Sequence, residues 1–502
     1  MISTTDPRTG ISSATAIEAT LGKEVRRLAD LARSAAPKLA GWGRHARAHL
    51  LDTIARVLEE RREELVATAD AETGLGLARL GGELSRSQYQ FKLFAEAIRE
   101  GSYLEAAIDH AAQTALGPQP DIRRLLVPVG PVAVFGSSNF PFAFSVLGGD
   151  VASALAAGSP VVVKAHSSHP LTAKHSFDAL AQAVRDADAP DGTIGIVYGQ
   201  AAGTALVTDP AISAVGFTGS LSAAEALQRA IATREVPIPF FGELSSLNPL
   251  IVTRAAAAAR SGEIAQGLFT SFTNSGGQLC TKPGIAFVPC GDAGDALVDA
   301  LAALTGAVDS SVLLNERIFR SFAEIKGALR KEGADLLAVG DDHPDNGFAV
   351  PPTLLVVNAE DMTSAVAEEC FGPLLIVARF DDSGDVLQAL ATIPRSLTIT
   401  LHAESGEAST VADLSHELLS FAGRLIYNGY PTGVRVSWAQ THGGPWPATN
   451  NQHTSVGVTA IRRWQRPVSW QNAPHDVLPH ELRDGPVDIA RRVNGVLVLP
   501  PP

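Results

Sequence analysis

Cysteine is scarce: Cys280, Cys290 and Cys370 are the only three in 502 residues. Their number is odd, they form no C-x-x-C pair and no His/Cys ladder of zinc spacing accompanies them, so neither a disulfide framework nor a structural metal site is supported. Positive charge is also in deficit, with 40 Lys and Arg against 53 Asp and Glu and a net charge of −13. The acidic excess is spread along the chain, which argues against a nucleic-acid surface and for a solvated exterior. No uninterrupted apolar run is long enough to span a bilayer, and the opening residues, MISTTDPRTGISSATAIEATLG, lack a basic stretch followed by an apolar core. The expectation is a reducing, cytoplasmic setting with no membrane, metal or nucleic-acid partner. No repeat of solenoid type is present.

What is present is the composition of a folded soluble chain, 45% hydrophobic and 19% charged. Its length exceeds what one core organises, so two or more domains are expected. From about Gly43 to Ile98 apolar residues recur at helical spacing. From Arg124 the pattern changes to short apolar runs alternating with Ala-rich helical stretches: VPVGPVAVFG then SVLGGDVASALAAG, SPVVVKAH then TAKHSFDALAQAVRDAD, GTIGIVYG then AAGTALVTD, AISAVGFTGS then SAAEALQRAIATR. This α/β alternation predicts a Rossmann-type parallel sheet with helices on both faces, which binds dinucleotides at its carboxyl edge. After Asn248 a second alternating series begins, with a helix from Ala255 to about Asn274. The expected division is a mainly cofactor-binding domain over 1–245, a second α/β domain carrying Cys280 over 246–425, and a return to the first domain with a Pro-rich oligomerisation tail over 426–502.

Four short stretches carry candidate chemistry. In SFTNSGGQLCTKP, Cys280 sits among glycines and polar residues. A free thiol titrates near ~8.5, so a nucleophilic role asks for helix-end or backbone N–H groups, or a cation, to favour the thiolate; an inert buried cysteine is the alternative. Gly276 and Gly277 are expected to let cofactor and substrate approach closely. In FFGELSSLNP, Glu243 is the only charge between Phe240 and Thr253. Desolvation there is expected to raise its pKa toward that of a general base, unless it caps a helix or pairs with a lysine. In VFGSSNFPF, Asn139 follows a strand and could donate to an oxyanion, or simply form a turn. In FTGS, Gly219 and Ser220 open a helix, either as a phosphate cradle or as an ordinary cap.

Taken in order, SSNFP, VVVKAHSSHPLTA, GFTGS, GELSSLNP, GGQLCTKP and EECFGPL resemble the aldehyde dehydrogenase superfamily from about residue 20 to 470. Within it, GGQLCTKPG and HGGPWPATN look most like the branch of ketoglutarate-semialdehyde dehydrogenases and NADP-dependent long-chain fatty aldehyde dehydrogenases. The resemblance implies Cys280 as nucleophile, Glu243 as general base and Asn139 as oxyanion donor. It also implies Lys164 on the adenosine ribose, Ser220 at the pyrophosphate, and Glu369 with Phe371 at the nicotinamide ribose. Two departures stand out. Many relatives read PWNFP where this chain has Ser138, and NAD-preferring relatives commonly carry a glutamate where this chain has Ser167. A neutral hydroxyl near Lys164 suits a 2′-phosphate, so NADP is the expected cofactor, with NAD as an alternative.

The expected reaction is oxidation of an aldehyde to a carboxylic acid, with 2-oxoglutarate semialdehyde (2,5-dioxopentanoate) as first choice and a long-chain fatty aldehyde as the alternative. A CoA-acylating enzyme, opposed by the retained Glu243, and an inactive homologue, opposed by the retained Cys280 and Glu243, are weighed against it. Arg435 is a candidate anchor for a substrate carboxylate, unless it is a surface residue; Phe142, Phe144 and Trp438 are candidate channel residues, unless they are core. No chemistry is assigned to Cys290 or Cys370. A homo-oligomer, dimer or tetramer, is expected.

Overall fold

The computed structural model describes residues 1–343 and 347–501. The helical periodicity of the opening section folds as α1 (Gly22–Ala40), α2 (Gly43–Glu60), α3 (Arg62–Thr73) and α4 (Leu77–Glu100). α2 and α4 pack together through Leu50, Ile54, Leu58, Leu84 and Phe91, all fully buried. Among the described residues no helix is long and apolar enough to cross a membrane.

The alternation that begins near 124 forms the strands Val132–Phe135, Val161–Lys164, Ile194–Val197, Ala214–Thr218 and Phe240–Glu243, paired in parallel throughout. Val132, Val134, Val161 and Val163 join one core cluster, whereas Ala133, Phe135, Val162 and Val197 join another. Side chains that alternate between two cores are what a sheet covered on both faces requires. Helices α5 (Gly149–Ala157), α6 (Pro170–Asp186), α7 (Gln200–Thr208) and α8 (Leu221–Ile231) supply the cover. From 132–135 the chain builds outward through 161–164 to 194–197, then returns to the other side for 214–218 and 240–243. The strand order therefore reverses beside 132–135, and the crevice at that reversal is where open α/β sheets take ligands.

The second series forms a seven-stranded sheet in the spatial order 335–339, 353–358, 374–380, 285–289, 250–252, 396–402, 422–427. Only the edge strand Asp335–Val339 runs antiparallel. A third sheet joins 465–471, 122–128, 107–109, 491–493 and 496–498, so the tail shares one sheet with residues from the N-terminal region.

Helix α9 (Arg254–Thr273) packs on the second sheet, and its end delivers the loop that carries Cys280. Ser275, Gly276 and Gly277 turn this loop with φ of 54°, 63° and 67°. A Cβ on Gly277 would lie 2.2 Å from the Gly372 carbonyl oxygen and 2.5 Å from Pro373 N. At Gly276 a Cβ would lie 3.1 Å from Gln278 Nε2 and 3.3 Å from Ser311 Cβ. The two glycines thus admit neighbouring chain, a correction to the expectation that they make room for ligands.

Gly277→Ala is expected to lower stability by about 3 kcal/mol or more, because the clash is with backbone that cannot rotate away. Gly291→Ala has a φ of 95° but nothing within 4 Å, so it should lose only about 1–2 kcal/mol. Comparing the two thermal unfolding midpoints checks this; equal midpoints would refute the packing role of Gly277.

Candidate active site

Glu243, Cys280 and His442 come from three separate parts of the chain and meet in one cluster, with Cys280 half-buried and the other two buried. Glu243 ends the last strand of the first sheet and is 3% exposed. His442 belongs to the loop after the strand Ala422–Tyr427 and is 2% exposed. His442 Nε2 lies 2.8 Å from Glu243 Oε1 and 3.5 Å from Cys280 Sγ. An ionised carboxylate only accepts, so the imidazole proton sits on Nε2 and is donated to Glu243. Ser455 Oγ donates to the other carboxylate oxygen at 2.5 Å.

Side chains that reach for backbone carbonyls fix the loop around Cys280. Asn248, fully buried and at φ 50°, donates to the carbonyls of Cys280 at 2.8 Å and Lys282 at 3.0 Å. Its Oδ1 accepts from Ser246 Oγ at 2.7 Å and Thr398 N at 3.2 Å. The buried Lys282 ammonium donates to the carbonyls of Cys370 at 3.0 Å and Leu374 at 2.8 Å. Asn139 Nδ2 donates to the Gln278 carbonyl at 2.9 Å, which brings the SSNFP turn against the Cys280 loop. That bond uses one of its two amide hydrogens. The Cys280 N–H has no hydrogen-bond partner among the described residues.

Charge within the cluster differs from the expectation for Glu243. Burial pushes its carboxyl up, but the His442 imidazole, Ser455 and Cys280 outweigh burial and leave it below the ordinary carboxylate range. The sequence shows the apolar strand around Glu243 and not the partners folded against it. Cys280 moves the other way: burial, then the negative charge of Glu243, push its thiol well above the ordinary range, and Arg86 partly opposes them. His442 heads the stretch HGGPWPATN, but no role was assigned to it from sequence, and its partners lie 162 and 199 positions away. Thiol, imidazole and carboxylate oxygen all lie within 4.8 Å of one another. One tetrahedral zinc ion would hold its nitrogen and oxygen ligands about 3.3 Å apart, so the 2.8 Å His442–Glu243 contact is that of a hydrogen bond.

At the carboxyl edge of the first sheet, Lys164 ends its strand opposite Phe135. Burial pulls its ammonium below the usual lysine range, and it has no partner among the described residues. Ser167 is exposed in the loop that follows. Ser220 caps α8, accepting from Ala223 N at 3.4 Å, and the Gly219 N–H donates to the Glu243 carbonyl at 3.0 Å. Gly219 therefore ties two strand ends together and has no N–H left to cradle a phosphate. Glu369 is pushed up to about 7 by burial, against Lys282, Ser245 and the Ser246 N–H. Phe371 lies half-buried beside it in the chain. An unpartnered ammonium at the sheet edge next to the strand-order reversal suits the ribose or phosphate of a dinucleotide.

The substrate candidates separate. Phe144 lies edge-on to His442, with ring centroids 6.2 Å apart. Phe142 is fully buried in the core. Arg435 is exposed and has no salt bridge among the described residues, while Val434 and Val436 on either side pack inward beside Phe144. The loop alternation that turns those valines in turns Arg435 out, which corrects its expected role as an anchor. Trp438, 50% exposed, is likewise a surface residue.

The chain is similar to known proteins over most of its length. The profile of the aldehyde dehydrogenase family matches residues 1–445. Alpha-ketoglutaric semialdehyde dehydrogenase of Acinetobacter baylyi is 41% identical, over 94% of this chain and 91% of its own length. Alpha-ketoglutaric semialdehyde dehydrogenase 2 of Azospirillum brasilense is 40% identical over the same shares, 94% and 91%. The NAD+ complex of aldehyde dehydrogenase from Bacillus cereus superposes with a TM-score of 0.79 at 22% identity, covering 94% of this chain and 92% of that one, a likeness of fold. With most of its length matched in sequence and its two sheets matched in space, the chain belongs to the aldehyde dehydrogenase family.

Proposed function

We propose that this protein oxidises 2-oxoglutarate semialdehyde to the dicarboxylic acid with NADP+, through a thioester on Cys280. The observation that carries the reading is the buried contact of Cys280 with His442 and of His442 with Glu243, at 3.5 and 2.8 Å. The two relatives at 40% and 41% identity, both named for this semialdehyde, support the substrate.

The Cys280 thiolate adds to the aldehyde carbon. The resulting oxyanion is held by the second amide hydrogen of Asn139 and by the Cys280 N–H, each donor contributing about 3 kcal/mol at the transition state. The nicotinamide, when bound, supplies the hydride acceptor. Glu243, already ionised, takes a proton from the water that attacks the thioester, and the acid leaves as the thiol is restored. His442 acts as a positioning residue: its Nε2–H holds the carboxylate beside Cys280. Lys164 and the cap of α8 would hold the dinucleotide, and Glu369 with Phe371 would meet its nicotinamide ribose. The exposed Ser167, which leaves Lys164 unopposed, supports the preference for a 2′-phosphate. A homo-oligomer is supported by the exposed apolar edge at Val496, Leu497 and Leu499, 65%, 58% and 69% exposed.

Cys280→Ser should abolish turnover and leave NADP+ binding intact in a fluorescence titration; near-normal turnover would remove Cys280 from the mechanism. In the cofactor-free enzyme, iodoacetamide alkylation of Cys280 should rise with pH to a midpoint above that of an ordinary thiol, because burial and Glu243 both disfavour the thiolate. Glu243→Gln removes that negative charge and should move the midpoint to lower pH; an unmoved midpoint would show that the two groups are not coupled. Ser167→Glu should lower the ratio of kcat/KM for NADP+ to that for NAD+ by more than about tenfold, and an unchanged ratio would place the 2′-phosphate elsewhere.

A further inference from the structure

Helix α4 carries Arg79, Glu83 and Arg86 toward the turn that holds Asn139. Two of the three are engaged in holding the fold. Glu83 accepts from Phe142 N at 2.7 Å, Ala143 N at 3.0 Å and Arg79 Nη1 at 2.9 Å. Arg79 also donates to Ser275 Oγ at 2.8 Å and to the Asn139 carbonyl at 2.7 Å. Arg86 makes no hydrogen bond or ion pair with any described residue, and its Nε and Nη2 are shut away from solvent with no acceptor. Its guanidinium stands 5.3 Å from the Phe144 ring centroid and 5.8 Å from that of Phe140. Phe144 is the ring that meets His442 edge-on.

Dry, unpaired N–H donors on a cation are costly, the more so because the group is charged. The protein has carboxylates nearby and does not use them here: Glu83 is occupied by Arg79 and two N–H groups, and Glu243 by His442 and Ser455. Arg86 is nonetheless near enough to Cys280 and Glu243 for their negative charge to offset part of the effect of burial on its guanidinium. A guanidinium lying to one side of two neighbouring aromatic rings, whose centroids are 5.3 Å apart, keeps its planar fork of donors unspent, the geometry that binds a carboxylate bidentately.

We infer that Arg86 anchors the carboxylate at the far end of the substrate, so that the site selects aldehydes carrying a terminal acid over uncharged aldehydes of the same length. This deepens the function proposed above and rests on it for the position of the aldehyde at Cys280. The anchor is then supplied by α4, in place of the exposed Arg435.

The test compares wild type, Arg86→Met and Arg86→Lys on 2-oxoglutarate semialdehyde and on pentanal, with the same cofactor. For Arg86→Met the ratio of kcat/KM on the semialdehyde to that on pentanal should fall about 100-fold, chiefly through KM. Arg86→Lys should recover part of it, as a point charge without the fork. Glutarate should slow alkylation of Cys280 in wild type and leave the rate unchanged in Arg86→Met. An unchanged ratio overturns the inference. So does an equal loss on both substrates, which would mean that Arg86 acts on the Cys280 thiolate. If Arg86→Met fails to fold, Arg86→Lys carries the same ratio and the same glutarate readout. If wild type ignores the five-carbon semialdehyde but oxidises succinate semialdehyde, the substrate reading fails alone, and the Arg86 ratio is taken with that acid against butanal.

Discussion

The buried hydrogen bond between His442 and Glu243 is the contact on which the rest of the site depends. It joins the last strand of the first sheet to the loop that returns after the second, and the same imidazole nitrogen faces Cys280. A carboxylate at 3% exposure is tolerable only while such partners favour its charge. With His442 and Ser455 in place it stays ionised, and the same charge pushes the neighbouring thiol up. One interaction therefore sets both protonation states, a carboxylate kept ionised and a thiol whose thiolate is scarce in the absence of ligand, which in the proposed mechanism are the base and the nucleophile.

Such a cluster works only if its members cannot drift apart, and the chain supplies this rigidity through side chains aimed at backbone. Asn248, Lys282 and Asn139 between them hold the carbonyls of Gln278, Cys280, Lys282, Cys370 and Leu374. Gly277 seats the same loop directly on Gly372 and Pro373. Displacing the thiol by 1 Å would require several of these bonds to stretch together. Precision of that order is what holding reacting atoms in attack geometry demands.

Much of this was legible in the sequence, for reasons that can be named. The parallel sheets follow from short β-branched runs such as VVVK alternating with Ala-rich helices, because that period leaves the chain no other way to bury both faces. Cys280, Glu243 and Asn139 each stand in a stretch whose residue types are wrong for a core, and the fold brings those stretches together. The roles of His442, although it heads HGGPWPATN, and of Arg86 were not legible. A histidine before two glycines and an arginine on an amphipathic helix look like ordinary loop and surface residues until tertiary packing supplies their neighbours. Arg435 misled because alternation in an irregular loop cannot be phased from sequence, and the sign of the Glu243 shift was hidden because desolvation is local whereas its partners are not.

The proposed arrangement also separates binding from chemistry along the substrate. A carboxylate held by Arg86 is present in the aldehyde, in the thioester and in the product alike, so its binding energy is uniform along the reaction and belongs in KM. Charge changes only at the other end, where a neutral aldehyde becomes an anionic acid beside the ionised, buried Glu243. Two carboxylates there repel in a poorly solvated space, which disfavours product relative to substrate while the distant anchor is unaltered. The carboxylate that activates water thus also helps expel what that water produces, and the anchor can bind firmly without trapping the acid.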